Sequence, residues 1–78
     1  MKIYIVNCTF NISQTLIDCA FRKEADAEAY INALNEDKAK AIARCKELIA
    51  LREGEDMVPY LVEEYAVGFG IVAVELNV

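Results

Sequence analysis

A chain of 78 residues, 56% of them apolar and with a net charge of −5, has room for one domain (residues 1–78) and one small core. Its acidity disfavours binding to nucleic-acid phosphates or anionic membranes, and no apolar run approaches the roughly 20 residues of a membrane span. Histidine is absent, which removes the commonest general base and the commonest metal ligand together.

The charge is unevenly placed. Every basic residue except Lys2 lies between Arg22 and Arg52, and the acidic Glu53, Glu55, Asp56, Glu63, Glu64 and Glu75 follow unbalanced. Cys8, Cys19 and Cys45 form no paired spacing, and Ile3–Val6 is too short for a signal-peptide core. A cytoplasmic protein with free thiols is expected.

Ile3-Tyr4-Ile5-Val6 predicts a first strand ending near Cys8, and Thr15–Phe21 a second, hairpin-paired across Asn11-Ile12-Ser13. The period then lengthens. Ala27, Tyr30, Ile31 and Leu34 recur at helical spacing behind Glu24, Asp26 and Glu28, whose charge suits a helix N-terminus. Ala41, Ile42, Cys45, Leu48 and Ile49 continue in the same phase up to Gly54, which stands at a C-capping position. One helix over this span would be about 43 Å long, in a domain whose expected radius is about 12 Å. A break at Asn35-Glu36-Asp37 is therefore expected.

Tyr60–Val67 reads as a third strand with Pro59 at its start, Gly68-Phe69-Gly70 as a turn, and Ile71–Leu76 as a fourth strand. The expected fold class is α+β: a mainly antiparallel four-stranded sheet, order β-β-α(-α)-β-β, with the helices on one face. Ile3–Val6 and Ile71–Val74 carry apolar side chains at consecutive positions, so both sheet faces are expected to be apolar while the helices cover one. A second copy or another protein is expected on the other.

No catalytic, metal or cofactor site is expected. Asp18 and Cys19, as strand neighbours, should face opposite sides of the sheet, and three scattered thiols lack zinc spacing. A turn centred between Ser13 and Gln14 would set Cys8 opposite Cys19, a pairing that a one-residue slip destroys. Glu53, Glu55 and Asp56 lack the spacing of a calcium loop. The cations from Lys38 to Arg52 have no interleaved aromatics, as a nucleic-acid patch would need, and are expected to pair with the interleaved Glu47 and the acidic first helix. Tyr4, Tyr60 and Tyr65 are the sheet aromatics on which bases would stack, but they lack basic flanks. The candidate partner-binding residues are Tyr4, Tyr60, Glu63, Glu64, Tyr65, Phe69, Glu53, Glu55 and Asp56.

Phe21–Ile31 and Tyr60–Tyr65 together resemble small α+β proteins of bacteriophages and mobile elements. In these an apolar hairpin ends in Phe, an alanine-bearing helix follows, and a strand ends in Glu-Glu-Tyr. The segment from Asn35 to Glu53 is an insertion relative to that pattern. The class includes inhibitors of host defence such as anti-CRISPR proteins. The resemblance implies a non-enzymatic inhibitor that blocks or bridges a host protein or complex by contact, with the acidic C-terminal third imitating phosphate charge. The alternatives are a homodimer joined through its sheet face and a cysteine-dependent redox or enzymatic role.

Overall fold

The chain begins in the middle of its sheet. In the computed structural model, which describes residues 1–77, β1 (Lys2–Thr9) pairs antiparallel with β2 (Thr15–Phe21) on one side and β3 (Gly68–Glu75) on the other. The strand order is β2-β1-β3. The β1–β2 turn is closed by the Asn11 carboxamide oxygen, which accepts from the Ser13 N–H at 3.0 Å. Asn in this role lets a side chain do the work of a backbone turn.

Between β2 and β3 the chain crosses the sheet through α1 (Glu24–Glu36) and α2 (Lys38–Glu53). Asp37 divides them. Its carboxylate accepts from the N–H groups of Ala39 at 3.1 Å and Lys40 at 3.3 Å, capping α2. The longest dimension of the molecule is 39 Å, so an unbroken helix of about 43 Å would have overrun it. Gly54 ends α2 at φ 102°, a conformation that favours glycine, and donates to the Ala50 carbonyl at 3.1 Å. A 3-10 turn over Glu55–Met57, a short α3 (Val58–Leu61) and a second 3-10 turn over Glu64–Ala66 lead into β3. β2 and β3 therefore run parallel with β1 between them, a split β-α-β arrangement.

The expected four-stranded sheet is wrong: among the described residues there are three strands, in the order β-β-α-α-β. The expected third strand, Tyr60–Val67, is not one. Pro59 sits in the first turn of α3, where its missing N–H costs nothing and its fixed φ favours a helix. Val58, Leu61 and Val62, at helical spacing, pack against the core. Gly68-Phe69-Gly70 is not a turn either. Gly68 and Gly70 lie opposite Thr9 and Asn7 in the ladder, and neither has positive φ. With those three residues added, the last strand grows to the length of β1.

All the helices lie on one face. Val6, Cys8 and Phe10 project from β1 and its continuation and are joined by Phe69 from β3, Ala27 from α1, and Ala41, Cys45, Leu48 and Ile49 from α2. Each large aliphatic side chain so buried contributes about 1.5–3 kcal/mol relative to exposure. Small residues at Ala27 and Ala41 let the helices approach closely.

The two glycine environments predict opposite outcomes. Gly70→Thr places a β-branched side chain where a Cβ meets nothing within 4 Å, so it should leave the urea midpoint unchanged or raise it. Gly54→Ala meets positive φ and a contact of 2.9 Å with the Asp56 carboxylate, and should cost about 1 kcal/mol or more.

Candidate functional site

The face of the sheet turned away from the helices is the principal candidate. Register places Ile3, Ile5, Asn7 and Thr9 of β1 there, flanked by Thr15, Ile17 and Ala20 of β2 and by Gly68, Gly70, Val72 and Val74 of β3. None of these residues is charged, although 27% of the chain is. Ile17 and Val72 are each 49% exposed, and Ile3, Ile5 and Val74 are half-buried only by their neighbours in the sheet. Strands of eight, seven and eight residues at about 4.8 Å spacing and about 3.3 Å rise give a face of roughly 350 Å². Asn7, Thr9 and Thr15 interrupt it, and the largest apolar patch on a monomer is often functional at about this size.

The covered face holds a strongly polar cluster. Cys19 lies opposite Val6 and Ile17 opposite Asn7, so Asp18 is the extra residue of a β-bulge. The bulge turns Asp18 to the helix side together with Cys19, correcting the expectation that these neighbours face opposite ways. The Asp18 side chain is 0% exposed. It accepts from Arg44 of α2 through Nη2 at 2.6 Å and Nε at 3.2 Å, and from the Tyr30 hydroxyl of α1. The Arg44 guanidinium is held charged beyond its ordinary range by the hydrogen bond to this carboxylate. Burial and the bond to Asp18 push the Tyr30 phenol up. The Phe21 ring lies 5.6 Å from that of Tyr30 and seats α1 on the strand.

The thiols share the same layer. Cys8 lies opposite Leu16, not Cys19, because the turn is centred on Ile12 and the bulge shifts the register beyond it. Its thiol is pushed up by the hydrogen bond with Cys45 and by burial. Burial and the Asp18 carboxylate raise Cys19. These environments favour the protonated form at both positions, the opposite of what activates a cysteine nucleophile. The Cys45 thiol is instead pushed down by its hydrogen bond with Cys8 and by Lys46, but it is fully buried. Among the described residues no group of three His, Cys, Asp or Glu side chains is placed to hold a metal ion.

The residues singled out in the sequence are dispersed. Phe69 is in the core, and Tyr4 packs against the core on the covered face. Tyr60, on α3, is 81% exposed, and Tyr65, in the second 3-10 turn, donates to Glu63 at 2.7 Å. The three tyrosines thus share no sheet face. Glu64 pairs with Lys46 at 2.5 Å, which holds its carboxyl below the usual range. Glu53, Glu55 and Asp56 are exposed around the end of α2. The cations of α2 do not pair with α1 among the described residues; Arg44 takes Asp18 and Glu47, and Lys46 takes Glu64. Sequence reasoning passed over a groove of about 630 Å³ between the hairpin turn and the end of α2. Phe10, Leu16, Ile49 and Leu61 line it, with Gln14, Arg52 and Glu53. These positions are scattered along the chain, and no local motif announces them.

No family model, curated protein or solved structure matches the chain.

The polar cluster makes two predictions. Arg44→Met leaves a buried carboxylate without its cation and should cost about 3 kcal/mol, enough to bring a domain of this size close to unfolding. Asp18→Ala should cost less, because Arg44 is 31% exposed and keeps Glu47 at 2.7 Å. Urea denaturation of both variants measures the asymmetry. The second prediction concerns pH. A phenol raised in the folded state contributes stability that is fully present below its unfolded value of about 10 and lost as pH rises above it. Tyr30→Phe should therefore cost about 1 kcal/mol at neutral pH, and its deficit against the parent protein should narrow above about pH 10.

Proposed function

We propose that the chain is a non-enzymatic binding module that holds a protein partner on the open face of its sheet. The observation that carries this reading is the uncharged, mostly aliphatic surface formed by Ile3, Ile5, Ile17, Val72 and Val74 on an otherwise charged chain. Water gains most when such a surface is covered, at about 25 cal/mol per Å² of apolar area. The raised thiols of Cys8 and Cys19, the complete burial of Cys45 and the lack of histidine favour binding over catalysis.

The resemblance to small phage and mobile-element proteins suggests what is held: a host protein or complex in the cytoplasm, blocked or bridged by contact in the manner of anti-CRISPR inhibitors. Glu53, Glu55 and Asp56 offer acidic surface for a basic groove on such a partner. At roughly 350 Å² the face is smaller than the about 800 Å² per partner of a standard interface, so the contact extends past the rim of the sheet.

The test is affinity capture from bacterial lysates with the parent protein and with Ile17→Lys/Val72→Lys. These exposed positions should accept lysine with little change in melting temperature, while the captured partner is lost. A folded double variant that still retains the partner, or failure to capture one from any of several hosts, defeats the reading. A dimer seen by light scattering and dissolved by the same pair would instead assign the face to a second copy.

A further inference from the structure

The two edges of the sheet are guarded differently. β2 is kinked by the bulge at Asp18, and Arg52 donates to its Ile17 carbonyl at 2.9 Å. Bulges and cations are the usual means of blunting an edge strand. β3 has neither. Its ladder with β1 runs without a register shift, and from Gly68 to Val74 it carries no charge and no proline.

The free backbone groups of β3 can be assigned from the end of the ladder. Leu76 donates its N–H to the Met1 carbonyl at 2.8 Å and accepts from the Met1 amine at 3.4 Å, which makes this a hydrogen-bonded pair. Such pairs alternate with non-bonded ones along an antiparallel ladder. Gly68, Gly70, Val72 and Val74 therefore turn their N–H and C=O groups toward β1, while Phe69, Ile71 and Ala73 turn theirs outward. No described residue pairs with the backbone of these three, and Gly70, Val72 and Ala73 are exposed.

We infer that two copies of this chain join through β3, antiparallel about a two-fold axis, into one continuous sheet. An open backbone edge accepts an extended strand, and β3 of a second copy has the matching length and is likewise uncharged from Gly68 to Val74. With Ile71 on the axis, Phe69 of each copy lies opposite Ala73 of the other, and every outward group finds a partner. Charge selects the antiparallel arrangement. It sends the two Glu75 carboxylates to opposite ends of the junction, whereas a parallel one would set them side by side in a chain already at −5. The junction uses the edge and leaves the open face free, so it stands independently of the partner-binding reading.

Sedimentation of the full chain from micromolar to millimolar concentration should show a monomer–dimer equilibrium. In the unmodified protein, amide exchange at Phe69, Ile71 and Ala73 should slow about tenfold or more as the dimer fills. Ala73→Pro removes one outward N–H and no bond to β1, and should give a monomer with unchanged circular dichroism. Ile17→Ser/Val72→Ser, which alters the face, should leave the dimer intact. A monomer throughout the range overturns the inference. So does a dimer whose Ile71 and Ala73 amides exchange freely, or one abolished by the face variant and not by Ala73→Pro.

Discussion

Asp18 is where the sheet is joined to both helices. A carboxylate with no exposed surface is tolerated in a small domain only if its charge and lone pairs are met, and here Arg44 and Tyr30 meet them from α2 and α1. The bulge that aims Asp18 inward also sets the register of β2 against β1, and so fixes which residues line each face. Apolar packing gives the layer its adhesion. The charged contact gives it an address, because sliding either helix along the sheet would strand a buried ion. The tilted contact of Phe21 and Tyr30 reinforces the same junction from the apolar side.

From that one-sided joint follows the exposure of the other face. Two helices lie over three strands, and nothing in residues 1–77 returns to the far side. Ile3, Ile5 and Val74 are shielded by sheet neighbours, while Ile17 and Val72 stand half in water. The edges differ in the same uneven way, one bent and capped by Arg52, the other straight and bare. Joining two such sheets through the bare edge would double the roughly 350 Å² face to about the size of one side of a standard interface.

Much of this was legible in the residues. The β1–β2 hairpin, the helix break at Asp37, the capping role of Gly54 and the apolar character of both sheet faces followed from periodicity and turn chemistry. The last third misled because its local signals compete. Tyr60-Leu61-Val62 has high strand propensity, yet Pro59 and the packing of Val58 and Leu61 against the core make it helical. Paired glycines around Phe69 suggested a turn, although glycine in a strand is only weakly disfavoured when its partners across the ladder are well placed. The Asp18 cluster was illegible for another reason. A bulge arises from the mismatch of two strands, and neither strand alone records it. The groove near Arg52 depends likewise on the convergence of distant segments.

The position of β1 has a kinetic consequence. The central strand comes first in the chain, and its second neighbour is reached only by closing a loop of roughly sixty residues, from Thr9 to Gly68. The hairpin and the helices form from near neighbours, so they can assemble early and leave one side of Ile3–Val6 waiting. Pairing across the longest loop carries the largest closure entropy, so completion of the sheet is expected last in refolding. In that interval an apolar strand lies open to any chain that arrives first, which makes dilution and speed of closure the safeguards against misassembly.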